Sequence, residues 1–160
     1  MGPMLIAGNG TRLIAVKFGV DAPRVPEALD ALDRELQGKY ALERDDARVS
    51  ALADQICAYL DGERTDFDLE LDLSWVTPFR RDVLLETQRV PRGQVASYAD
   101  IARRVGRPGA YRAVGNTMRT NPIPIVIPCH RIVGSNGIGG FGGGLDMKQR
   151  LLALEGAALG

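Results

Sequence analysis

Ser97-Tyr98-Ala99-Asp100-Ile101-Ala102-Arg103-Arg104-Val105-Gly106-Arg107-Pro108-Gly109-Ala110-Tyr111-Arg112-Ala113-Val114-Gly115-Asn116 decides the fold of the C-terminal half. Ser97 with an acid three residues later is a capping-box pattern, and it opens a short helix to about Val105. Gly106-Arg107-Pro108-Gly109 breaks that helix. Another begins at Ala110 and runs to Arg119, ended by Asn121-Pro122. Two short helices around a glycine-containing break read as a helix-turn-helix. Such a unit is often used on DNA, and it is also a common packing hairpin.

Immediately downstream, Pro122-Ile123-Pro124-Ile125-Val126-Ile127-Pro128 is apolar, β-branched and punctuated by proline. Three prolines remove backbone donors, so neither a regular helix nor a central strand fits. A rigid extended segment remains, and it delivers Cys129 into the interior. His130 follows directly and is the chain's sole histidine. A free thiol ionises near pKa ~8.5 and only the thiolate is a good nucleophile, so an adjacent imidazole suits nucleophilic chemistry. The pair reads equally as a buried thiol beside a hydrogen-bonded core histidine. Gly134–Gly144 then holds seven of the 19 glycines, a density that permits close backbone approach to a ligand. No GxxxxGK[ST] pattern is present, which disfavours a nucleoside triphosphate. A last helix is expected from Leu145 to about Ala157, placing Leu151, Leu152 and Leu154 near Glu155.

Upstream, Pro3–Phe18 reads as a hairpin whose strands, Met4–Ala7 and Leu13–Phe18, flank Gly8-Asn9-Gly10. Pro26 opens a helix through Gln37, with Ala28, Leu29, Leu32 and Leu36 on one face. A short strand is expected around Tyr40–Arg44. Val49, Leu52, Ala53, Ile56 and Leu60 mark a second helix, and Cys57 beside that stripe is read as a core residue. Asp66–Leu73 reads as a connector, and Pro78 to about Arg89 as a helix. The fold expected is therefore an α/β N-terminal domain, a small sheet with helices, followed by a mainly α C-terminal domain containing the helix-turn-helix. Residues 1–73 form the first and residues 74–160 the second.

The bulk numbers bound the rest. A chain of 160 residues, 45% hydrophobic and 25% charged, has ordinary globular composition. Residues 1–88 carry 10 Lys+Arg against 17 Asp+Glu, whereas residues 89–160 carry 10 against 3. That split points the second region at an anionic partner, unless its arginines are simply solvated. No apolar run is long enough for a membrane span, and Met1-Gly2-Pro3-Met4 lacks the basic start of a secretory signal. Two cysteines argue against a disulfide framework and make a reducing cytoplasm the default. With one histidine and two cysteines, no metal site is expected.

The C-terminal residues resemble the O6-alkylguanine-DNA alkyltransferase family, also called methylated-DNA–protein-cysteine methyltransferases. The resemblance covers Phe79 to Gly156. It rests on Gly93-x-x-x-Ser97-Tyr98, Arg112-Ala113-Val114-Gly115-Asn116, Asn121-Pro122, Ile127-Pro128-Cys129-His130-Arg131, Gly143-Gly144-Leu145 and Leu151-Leu152-x-Leu154-Glu155-Gly156, in order and at family-like spacing. The N-terminal module is similar to that family's variable α/β domain by architecture more than by motif. The resemblance implies repair of O6-alkylated guanine by irreversible, single-turnover transfer of the alkyl group to Cys129. His130 is implied as base through a water, Glu155 as the residue that orients it, Tyr98 as proton donor to the departing guanine, and Asn121 as the residue holding the turn before the cysteine segment. It also implies base flipping through the minor groove, with Arg112 filling the vacated stack and Ala113 and Gly115 allowing close approach. Ser97 and Tyr98 are implied as further DNA contacts, with Arg103, Arg104, Arg107 and Arg119 candidates from charge alone, and Pro124, Val133, Gly139, Phe141 and Gly143 are implied as the substrate pocket. The implied partner is double-stranded DNA carrying O6-alkylguanine, bound largely without sequence reading. No cofactor or membrane is implied, and a monomer is expected, with side-by-side binding on DNA as a further arrangement.

Three departures from the family pattern stand out. Tyr111 replaces a commonly small residue, Phe141-Gly142 replaces a more polar pairing, and Leu84 stands where many relatives have tryptophan. The lone tryptophan, Trp75, is read as inter-domain packing. Two other readings stay open from sequence: a Cys-His-Glu thiol hydrolase, and a protein that binds alkylated guanine without reacting.

Overall fold

The computed structural model describes residues 2–157. They fall into two units, Met1–Trp75 and Val76–Gly160.

In the N-terminal unit, β1 (Met4–Asn9) runs antiparallel to β2 (Arg12–Phe18), with Met4 opposite Phe18 and a register shift between Ala7 and Gly8. Leu13, Ile14, Ala15 and Val16 of β2 are all buried, which marks β2 as the central strand with both faces covered. Helix α1 (Val25–Glu35) carries Pro26 in its first turn, and Leu32 and Leu36 pack with Ile14 and Ala15. Helix α2 (Asp46–Leu60) is capped by Asp45, whose side chain accepts from the Arg48 amide at 3.1 Å.

The strand expected around Tyr40–Arg44 does not form. The free edge of β2 is taken instead by β3 (Glu70–Leu71), parallel to it, inside the stretch read as a connector. Tyr40 packs against the α1–β2 core while its hydroxyl donates to Asp72 at 2.5 Å, which holds the backbone off the sheet. Cys57 is exposed rather than buried. The buried face of α2 is Leu52, Ile56 and Tyr59, and one residue past Ile56 turns the side chain about 100° around the helix, away from that face. Trp75 finds its packing within this unit, against the same core cluster, and its indole donates to the Asp72 carbonyl.

The C-terminal unit holds helix α3 (Pro78–Gln88), β4 (Ala96–Ser97), α4 (Tyr98–Arg104), α5 (Tyr111–Arg119), β5 (Ile132–Val133) and α6 (Leu145–Leu154). Both arms of the capping box at Ser97 are made, Ser97 Oγ accepting from the Asp100 amide and Asp100 from the Ser97 amide. Helices α4 and α5 form the expected helix-turn-helix. Their buried residues Ile101, Ala102, Val114 and Met118 join Val83 and Leu84 of α3 in the core. The parallel pairing of β4 with β5 sets Ala96 beside Ile132 and Ser97 beside Val133, and so brings the start of α4 to the residues that follow Arg131. The helix-turn-helix and the glycine loop thus approach the same short sheet. No helix among the described residues is long and apolar enough to cross a membrane.

Candidate active site

The segment from Pro122 to Pro128 is irregular, as its prolines require, and Asn121 brackets it. The Asn121 carboxamide accepts from the Ile123 amide at 3.0 Å and donates to the Ile127 carbonyl at 2.9 Å. Inside the bracket, Ile125 sits at φ 74° while buried, a left-handed conformation that costs a β-branched residue on the order of 1–3 kcal/mol. The bracket and the surrounding isoleucines hold that strain. Cys129 then begins a 3-10 turn, Cys129–Arg131, all of it buried.

Within this turn the charges form one network. His130 Nε2 lies 2.7 Å from Glu155 Oε1, with both side chains fully buried. Arg131 donates to the same carboxylate through Nε (2.9 Å to Oε2) and Nη2 (2.9 Å to Oε1), and its Nη1 donates to the Val90 carbonyl at 2.6 Å. A carboxyl group that accepts a two-point guanidinium contact is ionised, so Nε2 must carry the hydrogen it donates. The lone pair of the neutral imidazole then resides on Nδ1, which is buried and meets no hydrogen-bond partner among the described residues. Burial holds the imidazole pKa below its ordinary value, against the opposing pull of Glu155. His130 is therefore a neutral base at neutral pH, and it loses that capacity only as pH falls below the ordinary imidazole range.

The thiol behaves oppositely. Burial pushes the Cys129 thiol up to about 11, while the Asn121 amide and the Lys148 charge act against that rise. At rest the sulfur is protonated, so its reaction requires the proton to leave as attack begins.

Glu155 is held by the end of α6. Gly156 takes φ 69°, the Ala157 amide donates to the Leu152 carbonyl and the Gly156 amide to the Ala153 carbonyl, which closes the helix at Leu154 with Glu155 as its C-cap. The helix is thus shorter than its sequence pattern suggested, and the carboxylate projects from a fixed C-cap.

A cavity of about 310 Å³ lies beside this centre, lined by Tyr98, Gly115, Met118, Arg119, Gly140 and Phe141. The Phe141 ring meets the His130 ring edge-on, with centroids 6.4 Å apart, and so touches both cavity and base. Tyr98 sits against the glycine loop so closely that a Cβ on Gly139 would stand 2.8 Å from its hydroxyl. Only glycine permits that approach.

Of the residues singled out from sequence, Cys129, His130, Glu155 and Asn121 come together around the buried turn. Tyr98, Gly115, Arg119 and Phe141 line the cavity; Pro124, Val133, Gly139, Gly143 and Cys129 are not among its lining residues. Arg112 and Ala113 are exposed on α5, and Arg119 donates to Asn116 at 2.5 Å. Ser97 is engaged as the cap of α4. Two residues carry roles that sequence reasoning missed. Arg131 stood in the quoted motif without a task. Lys148 falls on the stripe 148, 151, 152 and 155, where a charge among leucines at helical spacing was the available signal. Among the described residues no group of three or more His, Cys, Asp or Glu could hold a metal ion.

Comparison with known proteins is consistent across both units. The family described as 6-O-methylguanine DNA methyltransferase, DNA binding domain, matches residues 78–157, and its ribonuclease-like domain matches residues 1–73. A methylated-DNA–protein-cysteine methyltransferase of Mycolicibacterium paratuberculosis is 52% identical over 103 residues, covering 64% of this chain and 62% of that protein. The protein of the same name from Mycobacterium tuberculosis (strain H37Rv) is 38% identical, covering 97% of this chain and 87% of its own. Among solved structures, Mycobacterium tuberculosis OGT in complex with DNA superposes with a TM-score of 0.79 at 37% identity, covering 99% of this chain and 90% of that one. An O6-methylguanine-DNA methyltransferase from Pyrococcus kodakaraensis gives 0.72 at 30% identity, covering 96% and 91%.

Proposed function

The chain belongs to the 6-O-methylguanine DNA methyltransferase family, and from that premise we propose that it repairs O6-alkylated guanine in duplex DNA by moving the alkyl group irreversibly onto Cys129. The observation that carries this reading is the buried Cys129 beside a neutral His130 whose Nε2 is committed to Glu155. With Nδ1 left as the basic nitrogen, a water between it and the sulfur relays the thiol proton to the imidazole. Arg131 keeps Glu155 ionised, and Glu155 keeps the imidazole in that tautomer.

The step balances in atoms and charge. The sulfur–carbon bond forms as the carbon–O6 bond breaks, and the bonding pair passes to guanine. Guanine takes up the hydroxyl proton of Tyr98, and the proton that the thiol gave to His130 returns through solvent to Tyr98, so both residues end neutral. The thioether that results is neutral and has no leaving group to expel, so the protein is consumed by one lesion.

Access to a stacked base requires flipping. The exposed Arg112 fills the vacated stack, the small Ala113 and Gly115 let α5 approach the groove, and the everted base enters the cavity between Tyr98, Gly115 and Phe141. Exposed arginines of the helix-turn-helix meet phosphates and read no sequence. A thiol acceptor with no disulfide partner suits a reducing cytoplasm, where we place the protein.

A serine variant separates binding from transfer. Cys129→Ser retains DNA binding in a mobility-shift assay and loses transfer by at least about a thousandfold, since a hydroxyl is far less readily ionised than a thiol. Transfer at the wild-type rate by Cys129→Ser contradicts the assignment.

A further inference from the structure

Lys148 is fully buried, a placement lysine almost never adopts without a counter-charge. Among the described residues it forms no ion pair with a carboxylate; its ammonium donates to two neutral acceptors, the Ile132 carbonyl at 2.6 Å and the Gly140 carbonyl at 3.0 Å. Those bonds join two parts of the site. Ile132 follows the reactive turn directly, and Gly140 lines the cavity. Desolvation at this depth disfavours the charged amine and brings it to about 8. The group that counters this is Cys129, whose ionisation is favoured by Lys148 and in turn favours the ammonium. The other charges around the turn are already engaged: Glu155 is satisfied by His130 and Arg131. The Lys148 charge also disfavours imidazolium at His130, so of the two groups in the proton relay it favours only the ionised sulfur.

We propose that Lys148 is a positioning residue for alkyl transfer, bracing the cavity wall at Gly140 and supplying the positive charge against which the Cys129 sulfur ionises. The assignment rests on the alkyl-transfer reading for its purpose, but its electrostatic part is measurable without DNA. A purely structural tether would cost stability on removal and leave the pH dependence of the thiol unchanged.

The test follows iodoacetamide alkylation of Cys129 against pH, read by mass on the Cys129 peptide so that the exposed Cys57 does not interfere. Wild type is compared with Lys148→Gln, Lys148→Met and Lys148→Arg, each also assayed for methyl transfer from an O6-methylguanine duplex. In Gln and Met variants alkylation of Cys129 slows roughly tenfold below about pH 8, where the wild-type ammonium is present, the difference fading at higher pH, and methyl transfer slows at least as much. Lys148→Arg keeps the charge and holds the profile near wild type. Where Lys148→Met does not fold, Lys148→Gln, which keeps an N–H donor for the carbonyls, decides alone. A Gln profile that coincides with wild type, whatever the melting temperature, overturns the proposal. Wild type that takes no methyl group from the duplex, while its iodoacetamide profile depends on Lys148 as stated, upholds the Lys148–Cys129 coupling and overturns the alkyl-transfer reading instead.

Discussion

His130 and Cys129 are tuned in opposite directions by the same burial. Desolvation keeps the imidazole neutral, hence basic, and keeps the thiol protonated, hence quiet until a base takes its proton. Glu155 couples the two by fixing the ring, and its own charge depends on Arg131. Glu155→Gln leaves the buried Arg131 without its counter-charge. The expected cost is about 3–5 kcal/mol of stability by denaturant titration, with transfer slowed by tenfold or more in the fraction that folds. A variant as stable and as active as wild type would remove Glu155 from the account. Cys129, His130 and Glu155 were legible in the sequence because they stand in dense motifs. Lys148 and Arg131 were not, since a charged residue is ordinarily assigned to the surface and only the folded chain shows where these ammonium and guanidinium groups end.

Placement of those residues depends on elements that hold little regular structure. The Asn121 carboxamide closes the Pro122–Pro128 segment at both ends and contains the strained Ile125. Asn121→Ala deprives the Ile123 amide and the Ile127 carbonyl of their partner and is expected to cost about 1–3 kcal/mol. Transfer should slow by more than DNA binding weakens, because the segment aims Cys129 and lies outside α5. Equal losses in binding and transfer would mean that Asn121 serves general stability alone. The helices could be read from sequence because their apolar spacing and caps are local, Ser97–Asp100 above all. The third strand could not. Glu70–Leu71 makes only a two-residue pairing with β2, and the choice between it and Tyr40–Arg44 is settled by Tyr40 reaching Asp72, a contact across 32 residues. Cys57 shows the limit of periodicity in another way, since lying next to an apolar stripe is not lying on it.

Across the full chain, charge divides between an acidic N-terminal stretch and a basic C-terminal one, with 10 Lys+Arg against 3 Asp+Glu in residues 89–160. Binding that rests on phosphate contacts releases counterions, so duplex affinity should fall roughly a hundredfold between about 50 and 200 mM salt if about four phosphates are engaged. A salt-independent affinity, measured by fluorescence anisotropy, would place recognition elsewhere than on the arginines of α4 and α5. The most direct measurement is intact mass after incubation with a duplex containing O6-methylguanine. The protein should become heavier by one CH2, located on Cys129, with the methyl group lost from the DNA one for one and no further gain at excess substrate. An unchanged protein mass with the duplex bound, or repair of many lesions per molecule, would contradict the assignment.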